Sequence, residues 1–133
     1  MNTLGLHLLI ELGQCDPEIL DNTGELRKIL YRVSRESKMT PLKDSFHKFV
    51  PQGVSGVVLL AESHVSIHTW PELGYAAVDF FTCNTSTDMN SVVEAFVRTF
   101  NPGSYKSTIL ERGINTLSPL TSINFPNGDR AIS

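Results

Sequence analysis

Between Val54 and Cys83 the sequence passes through three short, apolar, β-prone runs that turn residues keep apart. Residues 54–61 are β-branched and apolar and read as a buried strand. Residues 65–70 alternate: Val65, Ile67 and Thr69 point one way, and Ser66, His68 and Trp70 the other, the period of a half-buried strand. Pro71-Glu72-Leu73-Gly74 is a turn, and residues 75–83 form a further strand. Connections of this length join antiparallel neighbours, because a parallel neighbour needs a crossover of about a dozen residues or more.

The flanking segments complete the pattern. Residues 4–12 form a short apolar run that reads as a largely buried strand, although its leucines leave a helical segment open. Gly13 and Asp16-Pro17 end it. From Glu18 to about Lys38, the positions of Ile19, Leu20, Leu26, Ile29, Leu30 and Val33 suit a helix, with Asn22-Thr23-Gly24 interrupting its start. Its outer side carries Arg27, Lys28, Arg32, Arg35 and Lys38 with Glu25 and Glu36, an ordinary solvated face. A strand is expected over 44–50, before the Pro51-Gln52-Gly53 turn. Met89, Val92, Val93, Phe96, Val97 and Phe100 make a one-sided stripe, with Ser86, Thr87 and Asp88 as N-cap candidates and Asn101-Pro102-Gly103 as the stop. A last strand covers 105–111.

The order β-α-β-β-β-β-α-β predicts an α+β fold, a two-layer sandwich in which two α-helices cover one face of an antiparallel sheet. Apolar residues make up 41% of the 133 positions and charged residues 19%, enough for one domain, residues 1–113, to bury a core without staples. Residues 114–133 have no period, and a mobile tail or an arm on a neighbouring molecule is expected there. A formal charge of -3 speaks against nucleic acid as the main partner. Two cysteines make no disulfide framework. With no signal-like start and no apolar run of membrane-spanning length, a cytoplasmic protein is expected.

Reactive side chains crowd one stretch: Glu62, Ser63, His64, Ser66, His68, Trp70, Glu72, Asp79 and Cys83. Three chemistries can be weighed against it. His64 and His68 are four apart, but on a strand that is roughly 13 Å, too far for two nitrogens to share a zinc at bonds of about 2 Å. A hydrolase would use Ser63 or Cys83 with His68 and Asp79, yet neither nucleophile sits in a recognisable elbow. Strand parity also puts Ser63 opposite His68, so their meeting requires a break after Ser63.

The third chemistry uses that junction. A serine at a strained turn can attack the carbonyl carbon of its own preceding peptide bond, exchanging an amide for an ester. Removal of the serine α-proton expels the ester, and hydrolysis of the dehydroalanine leaves a chain that begins with a pyruvoyl ketone. Such a group forms a Schiff base with a substrate amine and accepts the electrons released on decarboxylation, as other electron-sink cofactors do.

The run from Leu60 to Cys83 resembles the signature of the prokaryotic S-adenosylmethionine decarboxylases, a pyruvoyl-dependent proenzyme family. Phe46-His-Lys-Phe49, Gln52-Gly-Val-Ser-Gly56, Leu4-Gly-x-His7 and Cys15-Asp16 fit the same pattern, so the resemblance spans roughly residues 4–113. It implies that Ser63 becomes the pyruvoyl group and that Glu62 is left as the C-terminus of a β chain, 1–62, beside an α chain, 63–133. It implies processing roles for Ser55 and His68, and a proton returned to the substrate by Cys83. Phe49 and Trp70 would sandwich the adenine of S-adenosylmethionine, and Glu72 would accept the ribose hydroxyls. Sites between two protomers, hence a homodimer, are also implied, as is a product that donates aminopropyl groups to spermidine.

Aromatic faces suit a cationic sulfonium nucleoside, and a carboxylate suits a diol. Taken singly, several of these residues have duller readings: Trp70 as packing, Cys83 as a small hydrophobe, Ser55 as a loop serine, and His7, His47 and His64 as surface or hydrogen-bonded histidines. The sequence departs from the family pattern at Leu6, where a basic residue is common, at Leu73, where an aromatic is, and at Asn84, where glycine is. The alternatives on the same fold are a pyruvoyl-dependent arginine or ornithine decarboxylase and a non-catalytic binding or regulatory domain.

Overall fold

Six strands form one antiparallel sheet in the order β2-β3-β4-β5-β1-β6 in the computed structural model, which describes residues 3–113. The strands are β1 (Gly5–Gly13), β2 (Pro41–Lys48), β3 (Val54–Leu60), β4 (Ser63–Trp70), β5 (Tyr75–Thr82) and β6 (Ser104–Arg112). The helices are α1 (Pro17–Leu20), α2 (Thr23–Glu36) and α3 (Met89–Phe100), and a 3-10 turn spans Pro71–Leu73. This is the expected α+β sandwich. The tail expected from Ile114 onward lies outside the described residues.

The helix expected over 18–38 is two helices. Asn22 has an extended backbone and accepts the Glu25 N–H at 3.0 Å, so it caps α2 and breaks the chain there. α3 spans the predicted stripe, from its Asp88 cap to Asn101 in the left-handed region. β2 ends earlier than expected, at Lys48. The Phe49 N–H bonds the Gly53 carbonyl at 2.8 Å, which makes 49–53 a closed loop rather than strand. β4 begins earlier than expected, at Ser63 itself, so no break follows that serine.

Period-2 alternation sorts the strands into two faces. Leu8, Ile10, Leu12, Val58, Leu60, Val65, Ile67, Val78 and Phe80 are buried beneath Leu26, Ile29, Leu30 and Val33 of α2 and Val92, Phe96 and Phe100 of α3. On that face Gly56 pairs with Phe46, and a Cβ at Gly56 would run into the Phe46 ring. No helix among the described residues covers the opposite face, which carries His7, Ser55, Val57, Leu59, His64, Ser66, His68, Trp70, Asp79, Phe81 and Leu110; Val57, Leu59 and Leu110 are exposed there. No helix among the described residues is long and apolar enough to cross a membrane.

Candidate active site

The reactive residues gather at the two ends of β4. At its start, Ala61 and Glu62 make a two-residue hairpin turn between the paired residues Leu60 and Ser63. Glu62 has φ +63°, left-handed backbone that a residue other than glycine adopts at a cost. Ser63 is 7% exposed and faces the helix layer; its hydroxyl donates to the Ala61 carbonyl at 3.1 Å and lies 3.5 Å from Met39 Sδ. The Cys83 backbone N–H donates to the Glu62 carbonyl at 3.0 Å, so the peptide bond between 62 and 63 already has a donor on its oxygen. The Cys83 thiol is free and exposed just past β5.

At the far end of β4, Ser55 Oγ and His68 Nδ1 are 2.8 Å apart, on directly paired residues of β3 and β4. Trp70, 40% exposed, stacks on Tyr75 at 5.2 Å between ring centroids, and the Tyr75 hydroxyl bonds the Glu11 carboxylate. That bond, with burial and the negative charge of Glu11 adding to it, pushes the Tyr75 phenol up to about 12. Glu72 lies exposed on the 3-10 turn beyond. Phe49, 45% exposed, projects from the β2–β3 loop with its ring edge-on to His47.

Within one chain the two clusters do not meet. Ser63 and His68 are five residues apart on a continuous strand, about 16 Å, and their side chains leave opposite faces of the sheet. Ser63, Glu62 and Cys83 are together; Ser55, His68, Trp70, Glu72 and Phe49 share the other end. Sequence reasoning did not find Met39 beside the serine, because a methionine after a helix has no distinctive pattern. The Cys83 amide, a backbone group, also has no sequence signal.

A further network crosses the open face. The Arg112 guanidinium, which can only donate, lies 3.0 Å from His7 Nδ1, which leaves the His7 Nε2–H to donate to Asp79 at 3.0 Å. His64 stacks on Phe81, whose ring also takes the edge of His7. The described residues contain no group of three or more His, Cys, Asp or Glu side chains able to hold a metal ion.

The chain matches a known family. The family model described as S-adenosylmethionine decarboxylase matches residues 6–113, and the chain belongs to that family. It is 50% identical over 94 residues to an S-adenosylmethionine decarboxylase proenzyme of Thermococcus onnurineus, covering 71% of this chain and 67% of that one. To the proenzyme of Clostridium kluyveri it is 45% identical over 114 residues, covering 86% and 90%. The crystal structure of the adenosylmethionine decarboxylase from Aquifex aeolicus superposes with a TM-score of 0.79 at 34% identity, over 91% of this chain and 98% of that one.

Proposed function

We propose that this chain decarboxylates S-adenosylmethionine with a pyruvoyl group made from its own Ser63, after cutting its own Glu62–Ser63 bond. The observation that carries the reading is the geometry of that bond. A buried hydroxyl lies next to a left-handed Glu62 whose carbonyl already accepts the Cys83 N–H. When Ser63 Oγ adds to the Glu62 carbonyl carbon, negative charge grows on an oxygen that faces this donor, the arrangement that stabilises an oxyanion. Breaking the C–N bond then relieves the strained turn and leaves an ester with a free amine. A base takes the Ser63 α-proton, Glu62 departs as a carboxylate, and water replaces the nitrogen of the dehydroalanine, releasing ammonia.

Position 63 fits the group that results, since it is buried beside Met39 and the side chain needs no other anchor than the main chain. When present, the pyruvoyl ketone supplies the electron sink that decarboxylation of an amino acid requires. The remaining work falls to side chains. Phe49 and Trp70 hold the adenine, Glu72 accepts the ribose hydroxyls, and Cys83 returns a proton to the substrate α-carbon. The product is the aminopropyl donor for spermidine synthesis in the cytoplasm.

The separation along β4 implies a second copy. His68, hydrogen-bonded to Ser55, is the base suited to the elimination, yet about 16 Å of strand lies between it and Ser63 of its own chain. A two-fold homodimer built on the open sheet faces sets the Ser55–His68 end of one protomer against the Glu62–Ser63 turn of the other. The acyl shift, by breaking the Glu62–Ser63 amide, makes Ser63 a chain end no longer held to the helix face it takes in the uncut strand. An isologous contact makes two such sites at once. The exposed Val57, Leu59 and Leu110 on that face give it apolar surface to bury. Residues 1–113 form the single domain.

Intact-mass measurement of the denatured wild-type protein tests the reading. Two fragments, 1–62 and 63–133, are expected, the second with a ketone at its N-terminus; a wild type that stays full length under native conditions overturns it.

A further inference from the structure

The loop that carries Phe49 is tied to the strand that carries Trp70 by polar groups that the chemistry above does not use. Asp21, at the C-terminal cap of α1, accepts the Gly53 N–H at 2.8 Å and pairs with Lys48 Nζ at 2.9 Å. The same ammonium donates to the Phe49 carbonyl at 3.1 Å. One residue earlier, the Leu20 carbonyl accepts the buried Thr69 hydroxyl at 2.7 Å, and that hydroxyl in turn accepts the Val54 N–H at 2.9 Å. Thr69 directly precedes Trp70. Gly53, between the two ties, has φ +107°, and a Cβ there would lie 3.2 Å from the Thr69 carbonyl, so the loop approaches β4 as closely as glycine allows.

The turn between α1 and α2 therefore holds the loop that carries Phe49 through Asp21 and the strand that carries Trp70 through the Leu20 carbonyl and Thr69. We infer that Asp21 and Thr69 are positioning residues that set the spacing between Phe49 and Trp70, and so govern affinity for the adenosine half of the substrate without taking part in cleavage or decarboxylation. The inference rests on Phe49 and Trp70 being the nucleoside-binding aromatics. An aromatic pair grips a planar base only at one separation, because stacking falls away steeply once the rings part. Neither Asp21 nor Thr69 adjoins Ser63 or Cys83, which lie at the other end of β4. Although Thr69 and Val54 flank His68 and Ser55 in sequence, the Thr69 hydroxyl faces the helix layer, on the opposite side of the sheet from that pair.

Trp70 is the only tryptophan in the chain, so tryptophan fluorescence reports on this position alone. The experiment uses full-length wild type, Asp21→Ala, Asp21→Asn and Thr69→Val, allowed to mature. For each, the cleaved fraction, kcat and KM for S-adenosylmethionine are measured, along with quenching of Trp70 by 5′-methylthioadenosine, a nucleoside thioether without a carboxylate. Asp21→Ala is expected to mature like wild type, to raise KM about tenfold with kcat within about twofold, and to shift the quenching midpoint by the same factor. Asp21→Asn keeps an acceptor for the Gly53 N–H and should recover part of that loss. A merely structural role would instead lower the cleaved fraction and thermal stability and leave KM alone, and that result overturns the inference. If Thr69→Val does not fold, the two Asp21 variants still decide. Absence of any nucleoside response from wild-type Trp70 would remove the binding roles of Phe49 and Trp70, and the inference with them.

Discussion

The two ends of β4 are built from different materials. At the Ser63 end nearly everything that matters is main chain: a left-handed residue, a carbonyl and the amide that meets it, with one buried hydroxyl between. At the Trp70 end the candidate site residues present side chains: a serine on a histidine, a tryptophan on a tyrosine, a carboxylate on a turn. The first arrangement can do one thing once, to itself. The second can bind, orient and move protons repeatedly. A strand holds the two about 16 Å apart, so the cooperation proposed between them requires two paired chains.

The largest effects should come from the main-chain end. Ser63→Ala is expected to leave the chain whole on intact-mass measurement and to release no carbon dioxide from S-adenosylmethionine. Replacing the base proposed at the other end, His68→Ala, should slow cleavage by about 10²- to 10⁴-fold, the usual worth of a positioned general base. Cys83→Ala separates the two roles proposed for one residue. Its backbone N–H is retained, so the chain should be cut at the wild-type rate, while decarboxylation by the mature enzyme falls about 10²-fold.

Smaller effects sharpen the role of strain. Glu62→Gly removes the penalty of a left-handed non-glycine residue, so in a Ser63→Ala background it should stabilise the uncut fold by about 1 kcal/mol. With Ser63 present it should slow cleavage several-fold, read as a time course of fragment mass. The smallest effect concerns pH. The Gly53 N–H, and then Lys48, hold the Asp21 carboxyl below its ordinary 3.8. Because the folded value is depressed, what this carboxylate contributes is complete above the ordinary value and is lost as pH falls through the folded one. Nucleoside quenching of Trp70 should therefore be flat through neutrality and weaken only in strong acid, where wild type converges on Asp21→Asn.

Much of the layout was legible from residue order. α3 follows from its stripe and from Asp88 and Asn101, because local capping and one-sided burial agree there. β2 was displaced toward its C-terminus, since Phe49 and Val50 look like strand residues and nothing local announces the Phe49–Gly53 closure. Parity correctly set Ser63 and His68 on opposite faces, but it could not give a distance along one unbroken strand. Met39 at the serine, the Cys83 amide on the Glu62 carbonyl and the Asp21 tie to Gly53 are products of tertiary approach, invisible to period and spacing.

Mixed dimers test most directly whether the two ends of β4 form one site between chains. Ser63→Ala and His68→Ala, carrying different tags, are co-expressed, the doubly tagged species is isolated, and its denatured chains are weighed. The account predicts that the His68→Ala chain, which keeps Ser63, is cut between residues 62 and 63 by borrowing His68 from its companion. Prepared alone, the Ser63→Ala chain stays whole and the His68→Ala chain is cut only at its slow residual rate. If the His68→Ala chain is cut no faster in the mixed dimer than by itself, or if no mixed dimer forms, the account is contradicted.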